Sequence, residues 1–194
     1  MQVVILSGGL GTRLKALAAD QPKAMVLVSR APFVAHQLAL LKKQGLTNVL
    51  MCIGHLGEQI EHFVGDGSTF GMSVQYSKED PQSLLGTGGA LIQAIPRLAD
   101  EFLLIYGDSY LPAYFNPMME WSRSSGFPAV MSVYRNAGRW DKSNTRVSGD
   151  RVSFYSKKAT PGECDYIDYG LSYFKRSVFE AYSEQLLPLD LSVV

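Results

Sequence analysis

Short apolar runs separated by helical patterns constrain the fold of this chain more than any other feature of its sequence. The runs typical of buried strands are Gln2–Leu6, Asn48–Ile53, Ser73–Ser77, Phe102–Tyr106 and Ala129–Tyr134. The patterns typical of helices are Phe33–Gln44, Gly57–Val64, Thr87–Ile95 and Pro112–Arg123. Strands that alternate with helices predict βαβ units, in which helices cover both faces of a mostly parallel sheet.

The last part of the chain has a different pattern. Gly149 and Asp150 separate two short runs, Thr145–Ser148 and Val152–Tyr155, which predicts an antiparallel hairpin. The elements predicted after it are a strand at Gly170–Phe174 and a helix at Arg176–Tyr182. We therefore expect a single α/β domain with a Rossmann-like sheet that becomes mixed. Its mostly parallel part would span about residues 1–134, and a small antiparallel lobe about residues 135–194.

Charge and cysteine content exclude several classes of protein. The 194 residues include 18 basic and 18 acidic side chains, so the formal net charge is +0. This balance argues against a nucleic-acid or anionic-membrane surface, where excess positive charge is usual. No apolar run approaches the roughly 20 residues of a membrane span. The two cysteines, Cys52 and Cys164, lack metal-ligand spacing, and we expect a cytoplasmic protein without disulfides.

A glycine-rich loop follows the first predicted strand. Gly8, Gly9 and Gly11 leave backbone amides bare enough to converge on an anion, and Arg13 adds a permanent positive charge that grips phosphate. The dinucleotide fingerprint would need glycine where the chain has Leu14, and no Gly-Lys-Ser/Thr run of a P-loop is present. The loop therefore indicates a polyphosphate site. A strand-to-helix turn that binds nothing is the alternative.

A second cation follows this loop. Lys23 comes after Pro22, which stiffens the turn and limits where the ammonium group can point. Lys23 is either a further phosphate contact or a solvated surface charge. Together, the run Gly8–Leu14 and the pair Pro22-Lys23 resemble the signature of the sugar-1-phosphate nucleotidyltransferases. These enzymes make nucleotide sugars from a nucleoside triphosphate and a sugar 1-phosphate.

Two later runs agree with this resemblance, and two positions depart from it. Leu85–Ala90 resembles the family's Gly-Thr loop, and Leu103–Asp108 resembles the strand that ends in a metal-binding aspartate. Taken alone, Thr87 could be a helix N-cap and Asp108 a turn residue. The departures are Ser7, where alanine is common, and Ala24, where a second proline is usual.

The resemblance implies that residues 1–134 form the nucleotide-binding part and residues 135–194 the sugar-binding lobe, and it implies a set of functional residues. Nucleotide contacts are implied for Leu6, Gly8, Gly9, Gly11, Thr12, Arg13, Gly86 and Thr87. Catalytic roles are implied for Arg13 on the leaving pyrophosphate, for Lys23 between the two phosphates, and for Asp108 as the ligand of Mg²⁺. Sugar-phosphate contacts are implied for Asn144, Lys157, Asp168 and Gly170, with Lys158 as the alternative to Lys157.

The activity that the resemblance implies is nucleotidyl transfer to a sugar 1-phosphate, with release of pyrophosphate. The chain resembles the shorter bacterial members, which favours GTP with a heptose or mannose-type 1-phosphate and leaves cytidylyl and uridylyl transfer open. A homo-oligomer is compatible with the sequence. The alternative function is that of a non-catalytic homologue that binds a nucleotide or nucleotide sugar as a regulatory subunit. The joint presence of Arg13, Lys23 and Asp108 argues against that alternative.

The C-terminal sequence, by contrast, favours the non-catalytic homologue. The family commonly has a second metal aspartate near the C-terminus, usually before a glycine. The run from Leu189 to Val194 contains Asp190 but no Asp-x-Gly. We therefore expect the chain to be C-terminally incomplete.

Overall fold

The computed structural model describes residues 1–9, 20–184 and 188–191. Within these ranges the strands are β1 (Gln2–Ser7), β2 (Leu27–Val28), β3 (Ala31–Pro32), β4 (Asn48–Ile53), β5 (Ser73–Lys78), β6 (Glu101–Tyr106), β7 (Ala129–Arg135), β8 (Thr145–Ser148), β9 (Arg151–Tyr155) and β10 (Tyr166–Lys175). The helices are α1 (Phe33–Lys43), α2 (Gly57–Val64), α3 (Gly86–Ala94), α4 (Asn116–Ser125) and α5 (Ser177–Glu180).

One mixed sheet organises the fold. Its first four strands lie in the order β5-β4-β1-β6, and all of them are parallel. The sheet then continues through antiparallel strands, because β10 pairs with β6, β7 and β8, and β9 pairs with β8. The predicted change from a parallel to a mixed sheet is confirmed. The antiparallel strands extend the main sheet, while β2 and β3 form a separate small hairpin.

Helices cover both faces of the sheet, as predicted. Alternate residues of a strand point to opposite faces, so Val3 and Ile5 of β1 pack with α1 and α2, whereas Val4 packs with α3 and α5. All three β1 side chains are fully buried. The central strand therefore contributes to two hydrophobic clusters, one on each face of the sheet.

Element boundaries differ from the prediction where a tertiary contact overrides the local pattern. The helix predicted from Pro112 begins at Asn116, and β10 begins at Tyr166 rather than at Gly170. The added residues of β10 gain partners in β7 and β8. The β2–β3 hairpin, which the pattern did not predict, turns at Ser29 and Arg30, both with positive φ.

The predicted state of the cysteines agrees with the structure. Cys52 and Cys164 are both free and buried. Burial raises the pKa of the Cys52 thiol to about 12, so this group stays protonated and unreactive at neutral pH. Among the described residues, no helix combines the length and the apolar character that crossing a membrane requires.

Candidate active site

A cavity of about 220 Å³ opens at the carboxyl edge of the parallel strands. Ligands of open α/β sheets bind at this edge. Its walls include seven of the residues that the sequence predicted for the site, namely Leu6, Gly8, Gly9, Lys23, Gly86, Thr87 and Asp108. Four separate segments of the sequence thus meet around one space. Gly11, Thr12 and Arg13 lie outside the described residues.

The two predicted charged residues of the cavity are paired. Lys23 begins a short 3-10 turn, Lys23–Met25, and Asp108 follows β6 in the next loop. Lys23 Nζ donates a hydrogen bond to Asp108 Oδ2 over 2.8 Å. Their side chains are 30% and 51% exposed, so both remain open to a ligand. The pairing keeps the lysine ammonium inside the cavity instead of in bulk solvent.

A buried glutamine, which sequence reasoning missed, positions the loop of Asp108. Gln37 lies on α1 and is 1% exposed. Its Nε2 donates to the carbonyl oxygens of Tyr106 over 2.9 Å and Ser109 over 2.6 Å. The bonds hold both sides of Asp108, because these carbonyls flank it. A glutamine within an apolar helical pattern was the available signal, since a buried amide needs partners.

Close backbone packing brings β1 and β6 together below the cavity. Gly107 N donates to Leu6 O over 2.8 Å. A Cβ at Gly107 would lie 2.9 Å from Leu6 O and would also collide with Ser7 Oγ. By contrast, no heavy atom of the described residues lies within 4 Å of a Cβ built on Gly9. Glycine is therefore required by packing at Gly107, whereas at Gly9 it leaves open space beside the backbone.

The predicted Gly-Thr loop opens α3 and is covered by residues 188–191. Gly86 has a φ of +77°, and it lines the cavity together with Thr87. The first amides of the helix are used within the protein, because Gly88 N and Gly89 N donate to Leu189 O over 2.8 and 3.0 Å. Thr87 Oγ1 accepts a hydrogen bond from Leu191 N over 2.8 Å. The alternative of Thr87 as an N-cap is wrong, since Thr87 lies inside the helix and makes no cap bond.

Glu79 also lines the cavity and was missed from the sequence. It directly follows β5, and its backbone N donates to Ile53 O over 2.8 Å. The signal that could have identified Glu79 is the one that identified Asp108, a carboxylate at the carboxyl end of a predicted strand. Burial raises the pKa of Glu79, and a hydrogen bond from Leu85 N opposes that rise.

The predicted sugar-phosphate residues lie in the antiparallel part of the sheet, and none of them is in the described wall of the 220 Å³ cavity. Three of them contact one another. Asn144 Oδ1 accepts from Asp168 N over 2.9 Å, and Asp168 Oδ1 accepts from Gly170 N over 2.8 Å. Gly170 has a φ of +88° at a register shift of β10, so the strand geometry itself requires glycine there. Burial raises the pKa of Asp168.

The fourth predicted sugar-phosphate residue, Lys157, is on the surface nearby. Its Nζ lies 2.7 Å from Asp190 Oδ2, which ties the antiparallel part to the segment over the Gly-Thr loop. Tyr106 links this region to the nucleotide side, because it lines both the 220 Å³ cavity and a neighbouring cavity of about 500 Å³ that Tyr155 also borders. Burial, and then the charge of Asp168, raises the pKa of Tyr106, so its hydroxyl remains protonated.

The carboxylates of the cavity suit Mg²⁺ only when water and substrate phosphates supply its other ligands. Among the described residues, no three His, Cys, Asp or Glu side chains cluster closely enough to hold a metal by themselves. Mg²⁺ usually keeps several waters and is held by one or two carboxylates together with substrate phosphates. Asp108, a half-exposed oxygen donor in the cavity, fits that mode.

Comparisons with known proteins agree on one family. The model of the family described as nucleotidyl transferase matches residues 2–191. A D-glycero-alpha-D-manno-heptose 1-phosphate guanylyltransferase of Aneurinibacillus thermoaerophilus is 31% identical over 94% of this chain and 78% of that protein. An N-acetylmuramate alpha-1-phosphate uridylyltransferase of Neisseria meningitidis is 38% identical, over 56% of this chain and 47% of that protein. For several of these relatives, the match therefore spans only about half of the relative's length.

A solved structure extends the comparison to the whole fold. HddC from Yersinia pseudotuberculosis, in complex with GMP-PN, superimposes with a TM-score of 0.80 and 25% identity. The alignment covers 99% of this chain and 83% of that one. The likeness therefore includes both the parallel strands and the antiparallel extension.

Proposed function

Because this chain belongs to the nucleotidyl transferase family, we propose that it transfers a nucleotidyl group from a nucleoside triphosphate to a sugar 1-phosphate. The products are a nucleotide-diphospho-sugar and pyrophosphate. The observation that carries the proposal is the single cavity in which the glycine loop, Lys23 and Asp108 meet. That arrangement combines backbone amides for phosphate, a partly exposed cation and a carboxylate that can bind a metal ion.

The glycine loop and the two cations bind the phosphates in this proposal. The amides at Gly8 and Gly9, continued by Gly11 and Thr12, bind the triphosphate, and Arg13 holds the leaving pyrophosphate. Lys23 exchanges its bond to Asp108 for the phosphate oxygens between the two substrates. Its charge offsets the repulsion between two anions that must approach each other.

The reaction is an in-line displacement at the α-phosphorus. An oxygen of the sugar phosphate forms a bond to that phosphorus, while the bond to the oxygen bridging to the β-phosphate breaks and pyrophosphate leaves with the electron pair. The step needs no protein nucleophile, so the residues contribute by position and charge. When bound, Mg²⁺ on Asp108 would neutralise charge on the phosphate oxygens. Gly86, Thr87 and Leu6 border the nucleoside.

The antiparallel part of the sheet is the proposed sugar side. Residues 135–194 would form a sugar-binding lobe beside a nucleotide-binding part over residues 1–134. Lys157 would hold the sugar phosphate after leaving Asp190, with Lys158 as the alternative. Asn144, Asp168 and Gly170 would border the sugar ring. The proximity of Asp168 to Tyr106, which lines the nucleotide cavity, supports this placement.

GTP with a heptose or mannose-type 1-phosphate is the proposed substrate pair. Two guanylyltransferases acting on D-glycero-alpha-D-manno-heptose 1-phosphate and one acting on mannose 1-phosphate are among the similar proteins. A uridylyltransferase and a thymidylyltransferase are also among them. A cytoplasmic location and a homo-oligomeric state stay predictions; light scattering of the purified chain tests the second.

A matrix of nucleoside triphosphates against sugar 1-phosphates tests the proposal. The protein is incubated with each pair and Mg²⁺, and pyrophosphate release is measured. We expect turnover with at least one pair, highest with GTP and a heptose or mannose-type 1-phosphate. Nucleotide binding without pyrophosphate release from any pair would contradict the proposed activity and favour the non-catalytic alternative.

A further inference from the structure

The carboxylate of Asp108 loses its partner during the proposed reaction. In the structure Lys23 Nζ donates to Asp108 Oδ2 over 2.8 Å, and no other described residue donates a hydrogen bond to this carboxylate or forms an ion pair with it. The reaction moves Lys23 onto the phosphate oxygens and leaves the carboxylate to a metal ion. A metal ligand in this situation keeps its direction only if surrounding groups hold it independently of the lost partner.

Gln37 holds the backbone of Asp108 in a way that does not depend on Lys23. Its Nε2 donates to Tyr106 O over 2.9 Å, two residues before Asp108, and to Ser109 O over 2.6 Å, directly after it. Ser109 N also donates to Tyr106 O over 3.1 Å, which closes the turn around Asp108. The turn therefore keeps its three hydrogen bonds when the lysine leaves.

The amide of Gln37 is oriented by these two carbonyl groups alone. Only its NH₂ end can face two carbonyl oxygens, because both would repel its oxygen end. Gln37 is 1% exposed, and its Oε1 is buried without a hydrogen-bond partner among the described residues. A buried polar atom without a partner is destabilising, and an apolar side chain at this position would avoid that cost. The bonds to the Asp108 turn therefore explain the amide, whereas the packing of α1 does not.

The same helix is connected to the segment that carries Lys23. Phe33 N, at the first residue of α1, donates to Val26 O over 2.9 Å, and Val26 N donates to Lys23 O over 3.1 Å. One helix thus supports both members of an ion pair that are 85 residues apart in sequence. Groups supported by a regular element are placed more precisely than groups that depend on loops alone. The two side chains can therefore change partners while their backbones stay in place.

We propose that Gln37 is a positioning residue for nucleotidyl transfer. By fixing the backbone on both sides of Asp108, it lets the carboxylate exchange Lys23 for a metal ion without a shift of the turn. The inference rests on the proposed function. Gln37 is buried and is not part of the described wall of the 220 Å³ cavity, so it acts through Asp108 and not on the substrate. Its contribution is therefore measured as the effect of Mg²⁺ on nucleotide binding.

Nucleotide binding without sugar phosphate tests this role separately from catalysis. The dissociation constant of GTP is measured by isothermal titration calorimetry with EDTA and with Mg²⁺, and the ratio of the two constants is the Mg²⁺ enhancement. UTP is the second probe. The variants are Gln37→Leu, Asp108→Asn and the double variant. The control is Gln44→Leu, which removes another amide at the end of α1, one that accepts from Phe115 N over 2.8 Å. Circular dichroism checks that each variant is folded.

Gln37→Leu should lower the Mg²⁺ enhancement by about tenfold, within the range found when the partner of a metal ligand is removed. Its binding of GTP with EDTA should not change, because the glycine loop and Lys23 remain. Gln44→Leu should keep the wild-type enhancement. Asp108→Asn should lose the enhancement, and adding Gln37→Leu should cause no further loss, since the two residues act as one unit. If Gln37→Leu does not fold, Gln37→Met removes the same donor with a more adaptable side chain and should also lower the enhancement.

An unchanged enhancement in Gln37→Leu would overturn the inference, and so would an equal loss in Gln44→Leu, which would indicate a general effect on α1. A further loss on adding Gln37→Leu to Asp108→Asn would show that Gln37 does not act through Asp108. Wild-type binding that is independent of Mg²⁺ would show that Asp108 holds no metal, and would also overturn it. Binding of neither GTP nor UTP would reject the proposed function itself. An enhancement that depends on Gln37, without pyrophosphate release from any substrate pair, would support the inference while the proposed activity fails.

Discussion

The polar residues at the carboxyl edge of the parallel strands have different surroundings from those of the antiparallel extension. At the parallel edge, Lys23 and Asp108 pair with each other but stay open to the cavity. In the extension, Asn144, Asp168 and Gly170 bind one another through the backbone of β10. The first region leaves its charged groups exposed to a cavity, whereas the second satisfies much of its own hydrogen bonding.

The difference follows from sheet topology. Parallel strands all end at the same edge, so the loops after β1, β5 and β6 converge whatever their separation in sequence. In an antiparallel region, neighbouring residues of the ladder face each other directly, and polar side chains find partners within the sheet. A residue type at a strand end is thus a better guide to a ligand site in a parallel sheet than in an antiparallel one.

The largest expected effect is at Lys23, which pairs with Asp108 and is exposed to the cavity. Lys23→Ala should lower kcat/KM by about 10²–10³-fold, the range found when a donor to transition-state charge is removed. Lys43→Ala, which removes an exposed lysine of α1, is the control and should retain full activity. Pyrophosphate release measures both. If Lys23→Ala keeps more than half of the wild-type kcat/KM, Lys23 is not catalytic. The difference between the two regions would then have no consequence for activity.

Two glycines at the same edge of the sheet distinguish an effect on stability from an effect on ligand binding. Gly107→Ala should reduce the free energy of unfolding by about 1–3 kcal/mol, the usual cost of overpacking, because the new methyl group meets Leu6 O and Ser7. Gly9→Ala should leave the unfolding free energy nearly unchanged, yet weaken triphosphate binding. Urea denaturation and nucleotide titration measure the two quantities. Equal stability of the two variants would contradict the packing argument.

A smaller effect is expected in the antiparallel extension. Asp168→Asn keeps an acceptor for Gly170 N but removes the charge, so the KM for the sugar 1-phosphate should rise by about tenfold with little change in the KM for the nucleotide. Asp165→Asn, at an exposed neighbouring position, is the control. Initial rates with each substrate varied in turn measure both constants. An increase confined to the nucleotide KM would indicate that Asp168 contacts the nucleotide and not the sugar 1-phosphate.

The smallest effect is the pH dependence of stability at the same residue. Burial raises the folded-state pKa of Asp168 above its ordinary value of 3.8, so the folded protein holds this proton more tightly than the unfolded chain. Ionising Asp168 therefore costs stability as the pH rises through the folded pKa. Asp168→Asn lacks this dependence, and its stability relative to the wild type should decline between about pH 7 and about pH 4. Urea denaturation across this range measures the difference; a constant difference would contradict a raised pKa.

Local sequence patterns determined most of the strand and helix positions, and with them which strand ends meet around the cavity. An apolar run followed by glycine or aspartate locates a strand end, and the α/β alternation makes such ends converge. Leu6, Gly9 and Asp108 therefore lie around one cavity as predicted. The strand ends could be predicted because strand periodicity is a property of short segments; the roles of these residues in binding a nucleotide stay predictions.

Other features depend on contacts between segments that no local pattern connects. The bonds from Gln37 to the loop of Asp108, the cover of the Gly-Thr loop by Leu189 and the burial of Glu79 each join residues of different elements. Their partners are set by strand order and by how helices pack on the sheet. The function of such a side chain depends on its neighbours in the folded protein, and the local sequence around it does not identify those neighbours.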